Sequence, residues 1–182
     1  MTVKYPQRLC LLSSQSASSS SSIVFTQISS NFTTYYLKIR KLLPATDNTA
    51  LYIQFSTDGG ATYITTATYN WTTQGIDTSG GNKSDRSISS TESMICNNMS
   101  NTSTQPLYAD IVLYNLNQSV VRPRWMARSM DTSSITLGQA TYSCGINTTT
   151  TAITAFKVYC SSGNIASGQF YFYGCNEGGL LY

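Results

Sequence analysis

The stretch ITAFKVYCSSGNIASGQFYFYGC, residues 153–175, decides the fold class. Its first part places Phe156, Val158 and Cys160 on one side of an extended chain. SSGNIASG, residues 161–168, then reads as a turn with Gly163-Asn164 at its apex. From Gln169 to Gly174 the chain alternates again, with Phe170 and Phe172 on one face and Tyr171 and Tyr173 on the other. A period of two marks a half-buried strand, so the stretch predicts strand, turn and antiparallel strand. The phenylalanines belong to a core. The tyrosines are too apolar for a plain solvated face, yet their hydroxyls suit a wet interface.

The same period recurs along the chain. Tyr35, Leu37 and Ile39 share a face, as do Leu51, Ile53 and Phe55, and Leu107, Ala109, Ile111 and Leu113. Residues 140–146 carry Ala140, Tyr142, Cys144 and Ile146 together. In VRPRWMAR, residues 121–128, Val121, Trp125 and Ala127 point one way, and Arg122, Arg124, Met126 and Arg128 the other. Pro123 cannot donate a ladder hydrogen bond, so this strand is expected at an edge or a bulge. Asp58-Gly59-Gly60 is a hairpin-type turn signal. No long helical period interrupts the pattern. The expectation is one all-β domain over residues 1–182, an antiparallel β-sandwich of jelly-roll type.

Two segments depart from the pattern. Residues 13–22, SSQSASSSSS, read either as a mobile arm or as a weakly specified edge strand, the latter favoured by the IVF that follows. Residues 74–106 read as a long polar loop with Gly80 and Gly81 at its tip, and loops of that length usually serve recognition. Tyr69 and Trp71 stand just before it. With the surrounding amides they form the candidate glycan contact.

Charged residues are only 10% of the chain, well below the usual quarter, and the net charge is +3. Hydroxyl and amide side chains fill the surface instead. Without clustered Lys and Arg, nucleic acid is not an expected partner. No apolar run is long enough for a membrane helix. The chain has no His, which removes Ser-His-Asp and Cys-His machinery and the usual zinc sets. No glycine pattern for a nucleotide is present. Most carboxylates flank Gly, Ser or Asn in turns, where Asp caps its own backbone. Asp110 alone sits within a strand, opposite the Ile111 row. No catalytic residue, metal or cofactor is expected. Of the five cysteines, Cys144 and Cys160 read as buried thiols, with a cross-strand disulfide as the alternative. Arg122, Arg124 and Arg128 either form a solvated face or meet an acidic partner, an anionic glycan or a phosphate.

Two blocks carry a resemblance: LLSSQSASSSSSIVFTQISSNFTTYYLKIRKLLPATDNTALYIQFSTDGGATY, residues 11–63, and ITAFKVYCSSGNIASGQFYFYG, residues 153–174. Their order resembles a family of tailed-phage virion proteins found in environmental phages, some of them tail-fibre proteins. The resemblance implies a β-sandwich module on the virion surface, made in the host cytoplasm, with no catalytic residues to transfer. The chain is nearly the module alone, which favours a head decoration, a head-fibre tip or a small tail or baseplate protein. Expected partners are other virion proteins and further copies of the chain, a trimer being the first candidate. Tyr171, Tyr173, Arg122, Arg124 and Arg128 are the candidate subunit interface. The alternative is a receptor-binding module that grips host surface glycan, and a polysaccharide-degrading enzyme ranks below both.

Overall fold

The computed structural model describes residues 8–134 and 137–176. Among them twelve strands form: β1 (Arg8–Ser20), β2 (Ile23–Phe25), β3 (Thr34–Pro44), β4 (Thr49–Ser56), β5 (Tyr69–Asp77), β6 (Asn82–Ser90), β7 (Ser93–Met99), β8 (Leu107–Tyr114), β9 (Arg124–Ser134), β10 (Leu137–Asn147), β11 (Ala155–Cys160) and β12 (Ile165–Asn176). They make an eight-stranded antiparallel sheet, ordered β1-β12-β3-β8-β9-β10-β5-β6, and a four-stranded one, ordered β2-β11-β4-β7. The two sheets pack face to face as a β-sandwich.

The alternation in 153–175 is as expected, but its two strands do not pair. β11 lies in the small sheet and β12 in the large one, so the turn between them is an arch across the core. The reason is that Phe156 and Phe172 both need burial, and they meet edge to face across the sandwich at 5.2 Å. Phe25 from β2 and Tyr35 from β3 complete this aromatic centre. Phe25 lies 5.2 Å from the Phe172 ring, and Tyr35 stacks on it at 5.4 Å and 9°. All four rings are fully buried. The Tyr35 hydroxyl is satisfied at the core's edge, donating to the Ser29 carbonyl and accepting from its N–H.

The turn at 58–60 is likewise an arch from β4 toward β5, not a hairpin. Asp58 organises it. Its carboxylate accepts from the Thr62 hydroxyl at 2.5 Å, the Thr62 N–H at 2.9 Å and the Ser56 hydroxyl at 2.7 Å. The stretch 74–106 is not a loop. It contains the end of β5, all of β6 and the buried strand β7, and Gly80 and Gly81 close the β5–β6 hairpin. Asp77 holds that turn through the Ser79 hydroxyl at 2.6 Å and the Gly81 N–H at 2.9 Å. Gly80 takes a φ of +82°, which glycine adopts without strain.

These hydrogen bonds, from Thr62 above all to Asp58 and from Ser79 above all to Asp77, hold both carboxyls below the usual carboxylate range. Groups with depressed folded-state pKa values contribute stability in full above their unfolded values, near pH 4, and lose it as pH falls through the folded values. The urea midpoint is therefore expected to drop below about pH 4. In an Asp58→Asn, Asp77→Asn double variant that acid-side drop flattens. An unchanged acid limb would place the responsible carboxyls elsewhere.

The serine-rich segment is a strand. β1 pairs along β12 from Arg8–Asn176 to Ser20–Ile165, with a bulge between Leu11 and Ser13, and it forms one edge of the large sheet. Its serines cost little there, because an edge strand needs backbone pairing more than side-chain burial. β9, by contrast, is an interior strand between β8 and β10. Pro123 precedes its first residue and uses only its carbonyl, which accepts the Asn147 N–H at 3.1 Å. Val121, outside the strand, is exposed instead of joining Trp125.

β10 is inverted relative to its apolar pattern. Ala140, Tyr142, Cys144 and Ile146 do share a face, but it is the outer one, and Gln139, Thr141, Ser143 and Asn147 are buried. Cys144 is thus an exposed thiol. Cys160 is buried as expected, and burial pushes its pKa up to about 11.

Candidate functional site

The outward face of the large sheet gathers most of the side chains that the sequence leaves unexplained. Pairing registers arrange them in cross-strand rows. One row runs Tyr173, Tyr36, Val112, Met126, Cys144, Thr72 across β12, β3, β8, β9, β10 and β5. The next runs Tyr171, Lys38, Asp110, Arg128, Tyr142, Gln74, and a third brings together Tyr108, Met130, Ala140 and Ile76. Strict alternation produces this face. Each of these strands buries its other face, so the remaining residues must look outward.

The candidate interface residues Tyr171, Tyr173, Arg124 and Arg128 all stand on this face. Both tyrosines are half-buried, and the Lys38 ammonium lies 5.9 Å from the Tyr173 ring centre. Arg122 is exposed but precedes β9, so the register does not carry it. Asp110 pairs with Arg40 at 2.7 Å, and the same guanidinium donates to the Ile39 and Ala109 carbonyls. The apolar part of the face is open: Met130 and Tyr142 are each 63% exposed, Ile76 54% and Met126 51%. Patches of this kind on adjacent strands are unusual for an isolated surface.

Tyr69 and Trp71 are not a surface platform. Both alternate inward on β5. Tyr69 is fully buried, stacks on Phe55 and accepts the Phe55 N–H through its hydroxyl at 2.8 Å. Desolvation by that burial raises its pKa. Trp71 is 9% exposed and faces the core beside Trp125. β5 continues without a break past both residues, so no loop exposes them.

At one end of the outer face a cleft of about 850 Å³ opens. Its floor is the row Tyr114, Arg124, Ile146, Asn70 with Cys144 and Thr72 beside it. One wall comes from Arg86, Ser87 and Ile88 of β6. A bulge creates this wall: Tyr69 pairs with Ser90 but Trp71 with Ser87, and the extra residue puts Ser89 at φ +60°. The Ser89 N–H donates to the Asn70 side-chain oxygen at 2.9 Å, fixing the bulge to β5. The opposite wall is Thr33 and Asn115. The Asn117 amide holds that wall by donating to the carbonyls of Ser29 at 2.6 Å and Phe32 at 3.2 Å. Sequence reading singles out Arg124 and Trp71, which also lines the cleft, and its 74–106 recognition segment contains Arg86, Ser87 and Ile88, but it does not bring them together. NKSDRSISS has no apolar alternation to mark it as a strand, and Asp77 followed by Gly80-Gly81 is the one signal of a hairpin.

No protein-family model, curated protein or solved structure matches the chain.

Proposed function

We propose that this protein is a structural component of a phage virion surface, a head decoration, head-fibre tip or small tail or baseplate protein, acting by subunit packing. The observation that supports this is the outer face of the large sheet. It sets exposed Met126, Met130, Tyr142 and Ile76 beside half-buried tyrosines and a few arginines. Tyr, Met and Arg around an apolar centre are the composition of a packed protein interface. The partners on this reading are further copies of the chain, as a trimer, and neighbouring virion proteins. Chain crossings between the sheets are consistent with jelly-roll winding: β3 and β4 run beside β12 and β11 on one side and β8 and β7 on the other.

Sedimentation of the purified protein and mass spectrometry of purified particles test the reading together. The wild type sediments as an oligomer and is present in particles. Met130→Lys with Tyr142→Lys shifts it to monomer while leaving the melting temperature within a few degrees, since both side chains are on the surface. Tyr171→Ala with Tyr173→Ala weakens assembly in the same direction. A wild-type monomer that is missing from particles overturns the proposal, as does a tyrosine variant that assembles normally yet loses host adsorption.

A further inference from the structure

The cleft at the end of the outer face has a chemistry that packing does not require. Arg86 and Arg124 both line it and both are exposed. Among the described residues, neither guanidinium has a carboxylate within ion-pair distance, whereas Arg40 and Lys83 each have one. The strand order β6, β5, β10, β9 separates the two arginines by roughly 14 Å of sheet. Between them lie Ile146 and the Asn70 amide, whose oxygen is already engaged by Ser89 and whose NH₂ remains to donate, and the half-buried Tyr114 ring flanks Arg124 on its far side.

We infer that the cleft binds an acidic saccharide, with the guanidiniums of Arg86 and Arg124 taking its anionic groups. A guanidinium presents a planar fork of donors that matches a carboxylate or sulfate. The cleft far exceeds the volume of a lone ion and falls within the range of small-ligand sites. Hydroxyl and amide groups along it suit a polyol, and Tyr114 with Ile146 gives a sugar ring an apolar surface. A nucleic acid would need a longer basic track than two arginines. Met130, Tyr142 and Arg128 lie outside the cleft while Arg124 is shared with the candidate interface, so the Met130→Lys, Tyr142→Lys variant that tests packing leaves the cleft's own residues in place.

The test uses the full chain and three probes: a galacturonic acid tetrasaccharide, its methyl-esterified neutral counterpart and a sulfated tetrasaccharide. Calorimetry is expected to show binding of one or both anionic probes and none of the ester. Arg86→Gln and Arg124→Gln each weaken it by about tenfold or more. Arg128→Gln, the same charge lost from the same strand face outside the cleft, stays within about twofold, a change of under half a kcal/mol. Cys144 supplies a second readout, because it lines the cleft and is exposed, while Cys10 is exposed on the distant edge strand. Bound saccharide slows iodoacetamide alkylation of Cys144 and leaves Cys10 unchanged. The inference is overturned if neither anionic probe binds, if the ester binds equally, or if Arg128→Gln weakens binding as much as Arg124→Gln. Equal protection of Cys144 by inorganic phosphate alone would make the site an anion site and overturn its assignment to saccharide.

Discussion

Phe172→Ala is expected to lower unfolding stability by about 3–5 kcal/mol. The ring is fully buried and touches both sheets. Tyr35 stacks on it within the large sheet, and Phe25 and Phe156 approach it from the small one. Truncation removes transfer free energy and leaves a cavity that three rigid rings cannot collapse into. Aromatic pairing adds to the loss. The neighbouring Tyr171→Ala, facing outward, is expected to cost about 1 kcal/mol or less. The contrast is a test of register, because a slip of one residue exchanges the two faces. Urea unfolding of the two variants measures it, and comparable losses would place the register wrongly.

Gly145→Ala is the second. A Cβ at this position would lie 2.5 Å from Trp125 Nε1, 2.8 Å from Trp125 Cε2 and 2.7 Å from the Ser93 hydroxyl. Trp125 and Trp71 occupy the paired positions on either side of Gly145, and the Trp125 indole donates to Ser93 at 3.0 Å. The cost is steric, not conformational. To admit one methyl group the indole must move and its hydrogen bond must stretch, at about 1–3 kcal/mol. Gly138→Ala in the same strand meets nothing closer than the Thr78 methyl at 3.5 Å, and it is expected to be nearly neutral. Chemical unfolding followed by tryptophan fluorescence reads both effects. A Gly145→Ala variant with wild-type stability and an unshifted emission maximum would show that the indole is not held there.

Much of the strand inventory is legible because inward alternation is strong where both sheets supply partners. β3, β4, β8, β11 and β12 all bury the residues their pattern selects: Leu37, Ile53, Ile111, Val158 and Phe172 are each fully buried. β6 and β7 are illegible for opposite reasons. β6 is an edge strand with little to bury, so no apolar period marks NKSDRSISS. β7 is buried along nearly all its length, so SMICNNM shows a short run in place of an alternation. The shape of the cleft escapes sequence reading for the same cause, since its outer wall is the bulge in β6, although the residues of that wall fall within the 74–106 stretch read as a recognition loop.

Sequence by itself determined that this chain is all-β, which residues of most strands travel together, and that Phe170 and Phe172 part company with Tyr171 and Tyr173. Alternation is local, a property of the extended backbone and of residue type. Which sheet each strand joins, and which of its two faces is covered, are not local. The arch at 161–164 sends β11 and β12 to opposite sheets so that Phe156 and Phe172 can meet. The small sheet has half the strands of the large one and reaches β9, β10 and β5 chiefly through β7. There the inward face is no longer selected for apolar residues alone, and β10 turns Thr141 and Ser143 inward while Tyr142 and Cys144 look out. Only the pairing of strands distant in the chain brings Arg86 and Arg124 to one cleft, because a period of two carries no information about neighbours that the fold supplies.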